Sequence, residues 1–528
     1  QLDRPLDFVG VTEHSEFLGE VFACTTPGMD GYDSETCVAY RGDTENGAFD
    51  FGVLMAARDP KRFSDICGED GEGCAEGARL RWALIRRAAE QAQDTSSDCS
   101  FTALVGYEYT NTRGVSNLHR NVVFRNSVVP DRPIGVFEAP TPHALWSQLA
   151  ERCLDDRSGC DVVSLPHNSN LSNGHLFDLD DHPSTDRAAI LELRARLEPV
   201  VEIFQHKGGS ECRLTFSPDD PHCGFEKLRP LEDPICMSPG TGGMRLWGCS
   251  HRLDFVRQVF QEGLVAEAEY GINPYRLGVI GSTDTHNGTP GLVHPTDFPG
   301  HVGSVDATAE DRLGEGTVTH DAFINNPGGL AAVWAVENSR DAIFEAIRRR
   351  ETFATSGPRL AVRLFAADVD GSICDDEDRY EKLYRKGVPM GGTWGGKRTF
   401  VIEAFADPER DGEDVGLAEL QLVKGWMDAD GTLHEEVIQV AAGDAGTLDP
   451  ATCDASGGVE RLCAVYEDPA PDDVPAFYYA RALEVPTCRW SARECAATDP
   501  RPRRCDEPEH QTTVQQRVWS SPIFTEAD

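Results

Sequence analysis

Histidines and carboxylates in this chain stand where strand-like apolar runs stop. Residues 6–12 end in Thr12-Glu13-His14, residues 102–107 in Glu108, residues 162–165 in Pro166-His167-Asn168, and residues 277–281 in Ser282-Thr283-Asp284-Thr285-His286. Residues 200–204 carry Glu202 and run into Gln205-His206-Lys207, while His119-Arg120-Asn121 precedes the short apolar run 122–124. Imidazoles and carboxylates together are the ligand types of borderline divalent ions such as Zn²⁺, Mn²⁺ or Fe²⁺. One His after one strand is ordinarily a hydrogen-bonded structural residue, and Glu108 alone could be a helix cap or an ion-pair partner. Asp284-x-His286 is more specific, because two ligand types converge within one turn. Five strand ends with the same chemistry point jointly to a metal site. Arg120 and Lys207, each beside a proposed ligand, could hold an anionic substrate group, or could be ordinary ion-pair partners of the surrounding acids. His175, His182, His222 and His251 fall in loop-like, Cys- or Asp-rich stretches and read as surface residues, while His294 and His301 stay open. Other catalytic templates are missing: there is no G-x-S-x-G elbow, no phosphate-binding G-x-x-x-x-G-K-[ST] loop and no H-E-x-x-H.

The elements that must position these residues alternate. Besides the five strand candidates, helices are expected over 78–93, 143–152, 187–197 and 252–262. Strands alternating with amphipathic helices argue for a parallel α/β architecture, whose reactive groups sit past the C-terminal strand ends when it closes into a barrel. Asn338-Ser339 starts a last helix over 340–350, and Gly357-Pro358 breaks the pattern. Beyond it, alternating segments at 359–366, 399–406, 418–424, 436–441, 476–483 and 515–519 suit an antiparallel β-sandwich. The expected domains are therefore 1–357 and 358–528. Of 15 histidines, 13 precede residue 321, so the metal chemistry belongs to the first domain.

Forty-nine basic against 89 acidic side chains leave a net charge of -40, which repels phosphate backbones and anionic lipid. No nucleic-acid partner and no membrane insertion are expected, and an anionic substrate would need local positive charge such as bound metal. Seventeen cysteines include seven close pairs, 24/37, 67/74, 153/160, 212/223, 236/249, 453/463 and 488/495, with Cys99, Cys374 and Cys505 left over. None has C-x-x-C spacing, so disulfides on surface insertions and a periplasmic or extracellular location are expected.

Three of these motifs carry a resemblance. Val11-Thr12-Glu13-His14 resembles the T-D-H motif of the polymerase-and-histidinol-phosphatase (PHP) superfamily, Leu165-Pro166-His167 its mid-chain histidine motif, and Asp284-Thr285-His286 its closing D-x-H. Within it the chain is most similar to a large bacterial branch catalogued as a domain of unknown function, on His119-Arg120-Asn121-Val122-Val123-Phe124, Thr355-Ser356-Gly357-Pro358-Arg359, Val423-Lys424-Gly425-Trp426 and Trp519-Ser520-Ser521-Pro522. The resemblance implies a distorted (β/α)₇ barrel with two or three divalent ions (Mn, Zn or Fe) and phosphoester hydrolysis by a metal-activated water. It implies His14, Glu108, His119, His167, Asp284 and His286 as ligands, with Glu108 a bridge between metals. Glu13 and Glu202 would support the ligands, His206 would be a further catalytic candidate, and Arg120, Asn168 and Lys207 would meet a small anionic ester. The superfamily's opening H-x-H stands upstream of the T-D-H motif. Gln1 begins after that point, so either the segment was cleaved or lies outside this sequence, or the protein has lost two ligands. On the same site, hydrolysis of an amide, lactone or sulfate ester, or binding without turnover, are the alternatives. A third is an extracellular binding protein whose sandwich recognises a glycan.

Overall fold

The computed structural model describes residues 2 and 4–525, except 43, 58–59, 180–186, 231–232, 247, 295, 304, 317–320, 410–413 and 470–473. It is of mixed α/β type and divides into two compact units: Gln1–Glu198 with Pro234–His251 and Ala335–Glu345, and Pro199–Asp233 with Arg252–Trp334 and Ala346–Asp528. Residue 357, where a boundary was expected, lies within the second unit.

The first unit is built on a four-stranded sheet in sequence order: β1 (Phe8–Gly10), β2 (Thr102–Tyr109), β3 (Arg120–Phe124) and β4 (Val162–Pro166). Every residue of β2, β3 and β4 is buried, which explains their near-continuous apolar runs. β1 and β2 are parallel, but β3 is antiparallel to both neighbours, a correction to the all-parallel reading. The physical reason is the connection from Tyr109 to Arg120, which has no room for the helical crossover that a parallel partner requires. Trp82 on helix Glu72–Ala92 and Trp146 on helix Pro142–Leu149 close the core with Tyr107, Phe124 and Val162.

In the second unit β5 (Val200–Gln205) lies between the short β6 (Gly208–Gly209) and a parallel strand, Gly278–Gly281. Two further sheets share one hydrophobic core. The larger runs in the order Leu330–Val333, Thr352–Thr355, Arg517–Ser520, Ala476–Glu484, Leu417–Met427, Leu433–Ala442. The smaller runs Gly387–Pro389, Ala361–Ala367, Thr399–Phe405, Arg461–Glu467. Period-2 alternation turns Leu364, Ala366, Ile402, Leu420, Leu422, Tyr478 and Ala480 into that core. The opposite face of Ala476–Glu484 carries Phe477, Tyr479 and Arg481, which meet Phe260, Arg257 and Glu211. Strands Leu330–Val333 and Thr352–Thr355 thus come from before residue 357 and pair into this β-rich half.

Eight disulfides are formed, five of them as spacing suggested: 24–37, 67–74, 153–160, 212–223 and 236–249. The C-terminal pairings differ from the close pairs 453/463 and 488/495. The bonds are Cys374–Cys463, Cys453–Cys488 and Cys495–Cys505, with Cys99 free and exposed. Cys463 lies within strand Arg461–Glu467, and there tertiary pairing rather than loop length selects the partner. Eight such bonds suit an oxidising, extracellular-type environment. No helix among the described residues is long and apolar enough to cross a membrane. Peptide mapping under non-reducing conditions should recover the Cys374–Cys463 crosslink, which closes an 89-residue separation. Removing that bond should destabilise the chain by about 4.6 kcal/mol in the chain-entropy account. Recovery of a Cys453–Cys463 peptide instead would contradict this connectivity.

Candidate metal centre

Strand register explains how distant residues meet in the first unit. The β1–β2 register, Phe8 opposite Thr102, continues past the end of β1 to place His14 opposite Glu108. Two main-chain hydrogen bonds hold that stretch, Glu108 N–H to Glu13 O at 2.8 Å and Ser15 N–H to Glu108 O at 3.0 Å. On the other side Arg120 pairs with Pro166, and one step further His167 N–H donates to His119 O at 3.1 Å. Four strand ends thereby bring His14, Glu108, His119 and His167 together.

Glu108 is the hub. Its Oε1 lies 3.1 Å from His14 Nδ1 and 2.8 Å from His119 Nδ1, and its Oε2 lies 3.5 Å from His167 Nε2. Ligand atoms of Glu108, His119 and His167 all fall within 4.8 Å of one another, and the three residues are buried. His14 is different: its side chain is 46% exposed, so the cluster is open to solvent on that side. Burial alone would raise the Glu108 pKa, but the imidazoles of His14, His167 and His119 outweigh it and hold the carboxyl well below its usual range. Burial pushes His119 down to about 4 against the pull of Glu108, so the ring is neutral and its lone pair available. His119 Nε2 and His167 Nδ1 are buried without a hydrogen-bond partner.

Two residues that sequence reasoning missed stand behind this cluster. Thr110 Oγ1 donates to Glu108 Oε1 at 2.9 Å and lies 2.6 Å from His14 Nδ1. Glu16, 2% exposed, accepts the Thr110 N–H at 2.5 Å, and burial raises its carboxyl to about 7 despite nearby His14. Glu13, expected in the supporting role, is exposed, and only its main-chain groups are seen to reach Glu108. A signal for Thr110 existed, since it stands two residues after Glu108, just past the end of β2, and such residues share a face in extended chain.

Arg120 also departs from expectation. It is 1% exposed, and its guanidinium donates to Glu198 Oε1 at 2.6 Å and to Leu118 O at 2.7 Å. Trp146 Nε1 and Arg194 Nε complete the shell of Glu198 at 2.9 Å each, so Arg120 belongs to a buried structural ion pair. Asn168 is buried and caps the short helical turn Ser169–Leu171. His251, read as a surface residue, is buried, and a Cβ at Gly174 would stand 2.4 Å from its ring. His175 and His222 are half-buried, and His182 lies outside the described residues.

Asp284 and His286 stand in the second unit with His206, Lys207 and His301. Asp284 Oδ2 accepts from Gln205 Nε2 at 2.9 Å and from Lys207 Nζ, and it lies 3.4 Å from His206 Nε2. Lys207, expected to face a substrate anion, thus engages a carboxylate. His206 and His301 are stacked with ring centroids 3.4 Å apart, and His286 meets His301 edge-on at 4.7 Å. Burial pushes His206 down to about 3, partly opposed by its hydrogen bond to Asp284. His294 hydrogen-bonds the Thr296 hydroxyl at 2.9 Å. Glu202 is buried and accepts the Ser282 hydroxyl at 2.9 Å.

The family described as a protein of unknown function, DUF3604, matches residues 1–527. The chain belongs to the DUF3604 family. No curated protein and no solved structure matches it. In this DUF3604 protein the Glu108 cluster fits a divalent ion by its chemistry: an ionised carboxylate, a neutral buried imidazole, and ring nitrogens with no other partner. Among the described residues, the two other tight groups of candidate ligands, Glu20 with Cys67 and Cys74, and Asp220 with Cys212 and Cys223, contain disulfide-bonded cysteines and offer no thiolate.

Proposed function

We propose that this DUF3604 chain is an exported, metal-dependent hydrolase of the PHP type that cleaves phosphoric esters. The observation that carries the reading is Glu108, buried and ringed by the imidazoles of His14, His119 and His167 at four strand ends. A structural metal would suit a closed shell, whereas a catalytic one keeps a position open, and the half-exposed His14 provides that opening. Glu108, His119 and His167 would hold a divalent ion, Mn, Zn or Fe, within the first unit, and Asp284 and His286, in the second unit, would be ligands on the superfamily's motifs alone. A bound ion would supply Lewis acidity toward a phosphoryl oxygen and an acidified water at neutral pH. The chain's own contribution is to keep His119 neutral and Glu108 ionised, and to hold Glu108 on β2 and His119 immediately before β3. The eight disulfides support a periplasmic or extracellular site of action.

Elemental analysis of the purified protein, paired with assays on an aryl phosphate monoester and the matching diester, tests the reading. At least one Mn, Zn or Fe per chain is expected, with turnover that a chelator abolishes and added metal restores. Metal without phosphoester turnover would move the activity to another bond. Neither metal nor turnover would overturn the proposal.

A further inference from the structure

We propose that Arg517 anchors a binding site for a small oxyanion, in which its guanidinium fork meets a phosphate, a sulfate or a carboxylate group. The inference concerns the second unit and does not rest on the Glu108 cluster. Arg517 opens strand Arg517–Ser520 and is 2% exposed. Its Cζ lies 3.8 Å from the centroid of the Phe225 ring. A guanidinium has five N–H donors. Here Nε donates to Gln515 O at 3.3 Å and Nη1 to His222 O at 3.2 Å, both neutral carbonyls. Among the described residues Nη2 donates to none, and no carboxylate forms an ion pair with Arg517.

The acids that could have balanced this charge are already engaged. Glu211 and Asp220 each bind Arg257 and Arg481. Glu226 accepts from Arg489 Nε at 2.8 Å and Nη2 at 3.0 Å. Lys227 is a further cation without an ion pair among the described residues, its Nζ donating to Gly209 O at 2.6 Å. A Cβ at Gly209 would stand 3.7 Å from that Nζ and 3.6 Å from Phe225 Cδ1, so Lys227 and Arg517 both border one aromatic side chain. Two neighbouring cations without a carboxylate partner stand out in a chain of net charge -40. Burial, with Arg481 next, pushes the Arg517 guanidinium down to about 9 against the pull of Glu211, and burial pushes Lys227 down to about 7. A buried charge without an opposite charge costs stability. An oxyanion on Nη1 and Nη2 would accept the paired, charge-assisted hydrogen bonds that the planar fork is shaped to give. His222, beside the guanidinium, is half-buried, which leaves a short path from solvent.

The test uses the whole chain at constant ionic strength, with sodium phosphate, sulfate or acetate replacing chloride. The melting temperature of the parent should rise saturably, by about 2 °C or more, with at least one of the three, and the most effective ion identifies the class. His167→Ala, altered in the Glu108 cluster, should show the same rise, which separates this site from an anion held by metal there. Arg517→Gln should lose the saturable part and keep only the shallow, linear response of an excluded salt. No saturable rise in the parent, an undiminished rise in Arg517→Gln, or its loss in His167→Ala would each overturn the proposal. A measurement on the parent alone serves if Arg517→Gln does not fold. Crystals soaked in the stabilising oxyanion should show it within hydrogen-bonding distance of Arg517 Nη1 or Nη2, and the ion bound only elsewhere would equally refute the assignment.

Discussion

Replacing His167 by Ala is expected to lower phosphoester turnover at least about a thousandfold, since several kcal/mol of metal-derived stabilisation disappear at one decade per 1.36 kcal/mol. Metal content should fall in parallel. The fold should survive, because His167 sits just past the end of β4, its Nδ1 has no hydrogen-bond partner, and its nearest charged contact is Glu108 at 3.5 Å. His143→Ala, which changes a histidine on helix Pro142–Leu149 outside the cluster, should leave turnover unchanged. Retention of metal and of turnover within about tenfold of the parent in His167→Ala would remove the basis for the Glu108 cluster as the active centre.

Glu211→Ala should destabilise the second unit by about 3–5 kcal/mol, the cost of breaking a buried ion network on one side. Glu211 Oε1 accepts from Arg257 at 2.9 Å, Arg481 at 2.8 Å and the Tyr479 hydroxyl at 2.6 Å, and Oε2 accepts from Trp519 Nε1 at 2.7 Å. Asp220 shares both arginines, at 2.7 and 2.9 Å. Both guanidiniums are fully buried, so losing Glu211 leaves two cations largely on one remaining carboxylate. The acids show the same balance: burial would raise Glu211, yet Arg481 and Arg257 hold it well below the usual carboxylate range, and Asp220, which burial would also raise, is lowered by Arg481.

The sign of the pH dependence follows. A carboxyl depressed in the folded state contributes stability that is complete above its unfolded pKa, about 4.3 for Glu, and lost as pH falls through the folded value. Urea unfolding should therefore show a steep loss of stability below about pH 4 that Glu211→Gln makes shallower. Glu435→Ala, at the partly exposed edge of the network, should cost about 1 kcal/mol or less. Equal effects for Glu211→Ala and Glu435→Ala would show that the buried network carries no special weight.

Much of the local structure was legible in the residues alone. The apolar run at 102–107 is a strand, Thr102–Tyr109, and the amphipathic run at 78–93 falls in helix Glu72–Ala92 up to its C-cap, Gln93, because hydrophobic period reflects which face is buried. Five disulfides were legible from spacing, since cysteines 7 to 13 residues apart on short loops have few other partners within reach. That His and carboxylate chemistry gathers at strand ends was also visible, because ligand types are written in residue identity.

What tertiary structure alone decided is register and partnership. The direction of β3 rests on a connection too short for a crossover, and the run 122–124 reads the same in either direction. Whether Arg120 faces a substrate or Glu198 depends on which side of a strand a helix packs, which no single residue encodes. Cys463 found Cys374 rather than Cys453 because its place in a strand selects its partner by proximity in space. Thr110 outranked Glu13 for the same reason. Sequence adjacency put Glu13 next to His14, but its side chain is exposed, and the parallel register that sets His14 opposite Glu108 delivered Thr110 in its place.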